Sequence, residues 1–532
     1  MLSDKISDCI NHPVSLALLS ALLLAVAMPF HFGYWPLLAV AITPLLHLTA
    51  CHTPGKALLG GFLAGVIHYI ILLYWVVIAM GHYGGLPWWI SVPALLILSC
   101  YMALYTALFC YLLCVIKKRS TTCSEASISF LWSAPFLWIA LDYLRGKLLT
   151  GLPWMDLGYG LFEHPLLIQA ADLGGHHLIT FIIIVINLLI HQLIWTNKEP
   201  SAPRCPNKLL ITTSFFCFLI FIGGYSQLRY NSITKLNQDA LHIHSAVIQG
   251  NISQDEKWTP QKKESTVSTY RDLTHQALED GNTELVIWPE TAIPFFPQID
   301  PLFYEIKRLA KTSNIDLLAG APFFTKNTET TPPSYQYFNS ALLINSEGNI
   351  TEHYNKQHLV PFGEYVPLRR FFPFLEPLVE NVGDFQPGTS LSPLSSKVCK
   401  LGVLVCFESI FPDLARKMTQ NGADLLVNLT NDAWYGISSA PYHTLAMAVF
   451  RAVENRRSLV RAANTGISCL IEPTGNIQGQ TQLFQPAIVS ITAPLLTEKS
   501  FFTRAGFLFG PLCLFIAGIR LLLLFKKKEE ST

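Results

Sequence analysis

Two hydrophobic patterns divide the chain. From about residue 13 to 226, long apolar runs follow one another with short polar breaks. From 229 to 498, short apolar runs alternate with polar stretches. A transmembrane helix needs roughly 20 apolar residues. The first region holds seven candidate spans, at 13–30, 34–50, 58–80, 88–116, 127–144, 176–196 and 209–226, and an eighth covers 504–525. The fourth is long enough to tilt or kink, and Asp142 and Arg145 crowd the end of the fifth. In the first, Ala25-Val26-Ala27 also resembles a small-residue cleavage site. Cleavage there would remove one span and leave the sidedness of the rest unchanged.

The second region has a different period. Strands are predicted at 241–249, 284–288, 315–320, 339–345, 401–405, 423–428 and 458–463. Helices are predicted at 261–279, 301–312, 411–420 and 440–456. Ser346-Glu347-Gly348-Asn349 and Pro473-Thr474-Gly475-Asn476 read as turns. Strands alternating with helices predict an α/β domain whose sheets are covered by helices. The expected organisation is a multi-pass α-helical membrane domain (1–228), an α/β catalytic domain (229–498), and a last span with a basic tail (499–532).

Composition agrees with this division. The chain of 532 residues is 51% hydrophobic and only 14% charged, against about 25% charged in soluble proteins. The net charge of +1 gives no electrostatic case for a nucleic-acid partner. Basic residues in short loops report orientation. With the N-terminus inside, the inner loops carry Lys56, then Lys117, Lys118 and Arg119, then Lys198, Arg204 and Lys208. The tail Lys526, Lys527 and Lys528 also falls inside, whereas loops 31–33 and 81–87 carry no Lys or Arg. The α/β domain is thereby expected on the outer face of a cytoplasmic membrane. The 145–175 segment, with Arg145 and Lys147, breaks the charge pattern. Its start, Leu144 to Trp154, reads either as an interfacial loop or as a lipid-headgroup or substrate contact.

Three segments of the second region carry candidate chemistry. Leu285-Val286-Ile287-Trp288 is an apolar run ending at Pro289-Glu290-Thr291. Leu401 to Val405 is another, ending at Cys406-Phe407-Glu408 just before a predicted helix. Lys356 lies between them. Ligands of α/β sheets bind beyond the carboxyl ends of strands, so Glu290 and Cys406 can face one cleft. A helix start behind the thiol would favour its nucleophilic thiolate. A carboxylate can take the thiol proton. An ammonium, with the Phe407 backbone N–H, can stabilise the oxyanion formed when sulfur attacks a carbonyl. Twelve cysteines lack metal-binding spacing, and Cys399, Cys406 and Cys469 are the three in this region. His353, His358 and His443 likewise form no zinc pattern, so neither metal nor cofactor is expected.

The order Trp288-Pro289-Glu290-Thr291, Tyr354-Asn355-Lys356, Cys406-Phe407-Glu408 resembles the nitrilase (carbon–nitrogen hydrolase) superfamily. With His358-Leu359-Val360-Pro361-Phe362-Gly363-Glu364-Tyr365-Val366-Pro367 and the spans, the chain resembles the bacterial apolipoprotein N-acyltransferase family over nearly its whole length. Arg145-Gly146, Pro153-Trp154, Lys257-Trp258 and Asn428 to Trp434 fit as well. The resemblance implies a four-layer αββα domain with Glu290 as base, Lys356 as oxyanion stabiliser and Cys406 as nucleophile. It implies auxiliary roles for Glu364 and Glu408, and substrate-side roles for Trp258, Arg145 and Trp434. Phe407 departs from the family, which often has Tyr there.

The implied reaction is ping-pong acyl transfer. The donor would be a phospholipid, with the sn-1 chain of phosphatidylethanolamine as the expected source. The acceptor would be the α-amine of a diacylglyceryl-cysteine at an apolipoprotein N-terminus. The implied setting is the bacterial inner membrane, with a monomeric enzyme whose catalytic domain faces the periplasm. Pro294-Phe295-Phe296-Pro297, Phe371 to Leu375 and Trp434-Tyr435 are candidate apolar lips of the cleft. The competing enzyme is a membrane-tethered amidase that uses water. The competing non-enzyme is a transporter, which would usually place charges inside its spans.

Overall fold

The protein is described here from a computed structural model. The structure describes residues 12–30, 33–119, 123–195, 206–254, 260–279, 281–327, 334–365 and 385–529. Trp258 and the 371–375 lip fall outside these residues. The chain forms two compact units. One comprises the chain up to Val77, Trp88–Arg229 and Phe507 onward, and the other comprises Ile78–Pro87 with Tyr230–Gly506. Relative to the expected boundaries, the second unit gains a ten-residue excursion, Ile78–Pro87, made of the last three residues of the third predicted span and the loop that follows.

The first unit is helical: α1 (Pro13–Ala27), α2 (Thr43–Cys51), α3 (Pro54–Leu72), α4 (Trp88–Arg119), α5 (Cys123–Arg145), α6 (Ala171–Trp195) and α7 (Pro206–Asp239). Among the described residues, four helices are long and apolar enough to cross a membrane: Pro54–Leu72, Trp88–Arg119, Ala171–Ile194 and Leu209–Asp239. They overlap the third, fourth, sixth and seventh predicted spans, the third ending at Leu72 rather than at 80 and the seventh running past 226 to Asp239. Pro13–Ala27, Trp35–Cys51 and Phe509–Leu524 are shorter apolar helical segments.

This is a membrane protein, and its helices pack by the rules of a lipid solvent. On α3, Gly61 and Gly65 form a GxxxG pair. A Cβ on Gly61 would lie 2.8 Å from Cys110 Sγ, and one on Gly65 would lie 2.8 Å from Ala103 Cα, so the two glycines let α4 approach closely. The buried Asn187 side chain accepts the N–H groups of Ile42 and Thr43 at 2.9 and 3.1 Å. Backbone donors at the start of α2, which lipid could not satisfy, thus find a partner. Leu209, Leu210, Phe216, Ile220 and Phe221 on α7 are exposed, as lipid-facing side chains should be.

The second unit is an α/β domain. In chain order it contains β1 (Leu241–Gln249), α8 (Pro260–Ala277), β2 (Leu285–Ile287), α9 (Phe303–Ser313), β3 (Asp316–Asn327), β4 (Ser334–Ile344), β5 (Ile350–Asn355) and β6 (Leu394–Ser395). Then follow β7 (Lys400–Val405), α10 (Pro412–Gln420), β8 (Leu425–Thr430), α11 (Ala440–Asn455), β9 (Ser458–Ala463), β10 (Cys469–Ile471), β11 (Ile477–Gln478) and β12 (Ala487–Leu495). A short α12 (Phe501–Ala505) closes this unit, and α13 (Phe509–Glu529) returns to the first.

Among the described residues, twelve strands form two six-stranded sheets, ordered β12-β1-β2-β3-β4-β5 and β11-β10-β9-β8-β7-β6. Strand β1 packs on β9 and β4 on β7, so the sheets lie face to face. Helix α8 covers β1 and β12 on one outside, and α10 and α11 cover β7 and β9 on the other. The result is the expected αββα stack of four layers. The amphipathic pattern explains it: Tyr270 of α8 and Phe303, Ile306 and Leu309 of α9 join Val286, Leu317 and Leu342 of the sheet in one buried cluster. Trp288 anchors α8 to the end of β2, stacking on Tyr270 at 5.0 Å and donating from Nε1 to Thr274 Oγ1 at 3.0 Å.

Strand direction decides where side chains meet. β1, β2 and β3 run parallel, β4 is antiparallel to β3, and β5 is antiparallel to β4. β5 therefore points the same way as β2, and their carboxyl ends, leading to Lys356 and Glu290, share one edge. In the other sheet β7, β8 and β9 run parallel, and β7 ends at Cys406.

Candidate active site

Cys406 follows β7 in a strained turn. Its φ is +53°, a left-handed value costly for a residue with a Cβ. The chain enters a five-residue 3-10 turn, Cys406–Ile410, before α10 begins at Pro412. The helix expected at 411–420 is present as α10, but the 3-10 turn stands between its start and the sulfur, which weakens the dipole argument for a standing thiolate. The residue keeps some accessible surface. Even so, burial first and the Glu290 carboxylate second push the thiol up to about 12, against the opposing pull of Lys356 and a hydrogen bond with Thr430. The resting sulfur is a thiol, and its proton must leave as the reaction proceeds.

Glu290 is buried and held by both oxygens. Oε1 accepts from Asn339 Nδ2 at 2.8 Å, and Oε2 accepts the Asn431 backbone N–H at 2.9 Å. Its backbone crosses β3 at Gly320, where a Cβ would fall 2.6 Å from Glu290 Cα. Only glycine fits that crossing. Gly320 N–H donates to Pro289 O at 3.2 Å, and Trp288 N–H donates to Leu318 O at 2.8 Å, extending β2 as far as the carboxylate.

Lys356 is almost completely buried, one residue past β5. Its Nζ lies 2.9 Å from Glu364 Oε2 and 3.7 Å from Glu290 Oε1. Burial opposes its charge, but Glu364, then Glu290, outweigh burial and hold the ammonium well above the ordinary lysine range. Lys356 is therefore a permanent cation. Glu364 is itself fixed by the Val360 N–H, which donates to Oε2 at 2.8 Å. Asn339 Nδ2 reaches Glu364 Oε1 as well, at 2.8 Å, so one carboxamide ties together the two carboxylates around the lysine.

Glu408 acts on backbone. Its Oε1 accepts from Tyr354 OH at 2.9 Å and from the N–H groups of Gln357 and His358 at 2.7 and 3.1 Å. Its Oε2 accepts the Val405 N–H at 2.7 Å. The carboxylate staples the Lys356 loop to the Cys406 turn. Burial raises its pKa, and these donors oppose the rise. Phe407 turns away into an aromatic group, with ring centroids 5.9 Å from His358 and 5.2 Å from Phe411.

Beneath Cys406, Arg461 donates to Asp432 Oδ2 and Asn428 Oδ1, both at 2.7 Å, and Thr430 donates to Asp432 Oδ1 at 2.9 Å. This buried network sets the end of β8. Trp434 sits in the turn that follows, partly exposed, with its ring 6.2 Å from Tyr83 in an edge-on contact. Tyr83 belongs to the Ile78–Pro87 excursion. Among the lip candidates, Phe295 is core, and Phe296 packs against Phe324 and Tyr337 at 5.5 and 5.6 Å.

The structure brings together Glu290, Lys356, Cys406, Glu364 and Glu408. Arg145 lies in the other unit. It is buried and bound to Asp142, Asp156 and Tyr69, so it is not a surface cation at headgroup level. Trp154 in the same segment is also fully buried. Asn339 was missed by sequence reasoning, and Thr430 was quoted within the Asn428 to Trp434 run but given no role. A strand asparagine carries no motif of its own, and only the Glu290 assignment would have drawn attention to it.

The comparisons with known proteins agree with this division of the chain. Residues 245–498 match the carbon-nitrogen hydrolase family, and residues 20–189 match the apolipoprotein N-acyltransferase N-terminal domain. An apolipoprotein N-acyltransferase from Geobacter metallireducens is 40% identical over 97% of this chain and 95% of its own length. One from Haemophilus influenzae is 32% identical over 85% of this chain and 84% of its own. A carbon-nitrogen hydrolase of known structure from Helicobacter pylori G27 overlays 51% of this chain and 94% of its own, with 20% identity and a TM-score of 0.37.

Proposed function

We propose a function from one premise: the chain belongs to the apolipoprotein N-acyltransferase family. It transfers an acyl chain from a phospholipid to the α-amine of a diacylglyceryl-cysteine on an apolipoprotein. The observation that carries this reading is a protonated thiol set beside a carboxylate and a fixed ammonium in a membrane protein.

The chemistry follows from those groups. Glu290 accepts the proton from Cys406 Sγ as sulfur attacks the ester carbonyl of the donor. Negative charge develops on the carbonyl oxygen, where the Lys356 ammonium and the Phe407 N–H stabilise it. The C–O bond then breaks, Glu290 returns the proton to the departing alcohol, and lysophospholipid leaves. A thioester remains on Cys406. In the second half, the acceptor amine attacks the thioester and gives a proton to Glu290, which passes it to the released thiolate. The product is an amide, and the enzyme is regenerated. Glu364 shares the charge of Lys356, so the ammonium is not locked against the base.

The sn-1 chain of phosphatidylethanolamine is the donor in this reading. Both substrates are anchored in the bilayer by acyl chains, each buried methylene contributing about 0.8 kcal/mol. The site faces the periplasm across the inner membrane. The basic loops support that sidedness, and so does the membership of Ile78–Pro87, around a predicted outer loop, in the catalytic unit. Trp258 and Trp434 contact substrate at the entrance.

The test is an assay with labelled phospholipid and a diacylglyceryl-cysteine lipopeptide in mixed micelles. Label transferred to the lipopeptide amine supports the reading. Label released only as free fatty acid, at a rate the lipopeptide does not change, would replace it with the water-using hydrolase.

A further inference from the structure

A second cluster of ionisable groups lies inside the membrane unit, and none of its members takes part in the chemistry above. Asp156 is buried, and its two oxygens have different partners. Arg145 occupies Oδ1. Both histidines of the tandem pair His176-His177 turn Nε2 toward Oδ2, at 2.8 and 3.4 Å. One ligand atom from each of the three residues falls within 4.8 Å of the others, and all three residues are buried.

Local structure explains the convergence. Helix α6 is interrupted at Gly175, whose φ of 68° and ψ of −170° are not helical. His176 and His177 thus begin a new helical run facing the 156 turn. Aromatic planes hold their rings: Tyr159 stacks on His176 at 4.7 Å and Phe507 on His177 at 4.7 Å. Nδ1 of His177 meets no polar partner among the described residues, which leaves Nε2 as the atom through which that ring interacts.

Two imidazoles and one carboxylate are a ligand set suited to first-row divalent ions. An Arg145 hydrogen bond to the non-ligating oxygen would act as an outer-shell contact that fixes the carboxylate.

We propose that Asp156 Oδ2, His176 Nε2 and His177 Nε2 form a binding site for a divalent first-row transition ion of the zinc type, which pins the 156 turn to the restarted helix α6. Its role is structural, because its ligands tie together two segments of the helical unit, and Cys406, Glu290 and Lys356 belong to the other unit.

The experiment uses the full chain, purified in detergent without chelators and with a tag that contains no histidine. Elemental analysis after exhaustive dialysis should find about one equivalent of metal per chain. Chelator-stripped protein should take up Co²⁺ with visible d–d bands of nitrogen and oxygen coordination. His177→Gln should lose both signals and lower the thermal midpoint to that of the stripped wild type. Cys406→Ala should keep both, which separates this site from the catalytic thiol. Wild-type protein with less than about a tenth of an equivalent and no Co²⁺ bands would overturn the proposal. That result would mean that the His176 and His177 contacts to Asp156 hold the cluster without an ion. The wild-type measurement decides the matter even if a histidine variant fails to fold.

Discussion

Lys356 Nζ lies 2.9 Å from Glu364 Oε2, nearer than the 3.7 Å that separates it from Glu290 Oε1. The ammonium is thus tied to the residue that does no chemistry, and the base keeps the weaker hold. Glu364→Gln should let Lys356 close on Glu290 and impair its service as a base. We expect kcat to fall by about 10²-fold, with little change in thermal midpoint. Pre-steady-state release of lysophospholipid reads the first half-reaction directly. An unchanged burst rate would show that Glu364 does not share the lysine's charge.

Glu408 receives four donors, three of them backbone N–H groups. In Glu408→Gln the side-chain nitrogen would face a donor it cannot accept. The Lys356 loop and the Cys406 turn should then separate. The variant should lose about 10²-fold or more in activity, and also stability, since a buried donor is left without a partner. Thermal unfolding together with activity tests this. A variant stable as wild type and fully active would remove the staple from the account.

Alkylation of Cys406 has a predictable pH dependence. The thiol is raised to about 12, so its reaction with iodoacetamide should climb about tenfold per pH unit between pH 7 and 10. Glu290 raises the thiol, so Glu290→Gln should lower it toward the ordinary cysteine range. That variant should alkylate at pH 8 about tenfold faster than wild type while transferring no acyl chain. Slower alkylation in Glu290→Gln would mean that the carboxylate activates the resting sulfur rather than holding it protonated.

The hydrophobic pattern carried most of the architecture. β1 and β9 begin and end at the residues their apolar runs predict, because both are buried over most of their length. β5 was not predicted. Ile350-Thr351-Glu352-His353-Tyr354-Asn355 is a polar edge strand that buries only Tyr354, so its pattern resembles a loop. That strand aims Lys356, and motif resemblance identified the lysine where periodicity could not. The thiolate expectation failed because burial and then the Glu290 carboxylate raise the thiol, and a 3-10 turn separates Cys406 from the helix predicted at 411–420. Arg145 looked like an interfacial cation because its partners Asp142 and Asp156 are legible only in three dimensions. The Asp156, His176 and His177 cluster escaped for a related reason, since the break at Gly175 redirects two adjacent histidines toward one carboxylate.

The central claim is that Cys406 carries the acyl chain. Purified protein incubated with phospholipid and no acceptor, then digested and analysed by mass spectrometry, tests it most directly. The account predicts one acyl chain on the peptide containing Cys406, labile to hydroxylamine and discharged by a diacylglyceryl-cysteine lipopeptide. An unmodified Cys406 peptide from a preparation that turns over, or an acyl chain on any other residue, would contradict it.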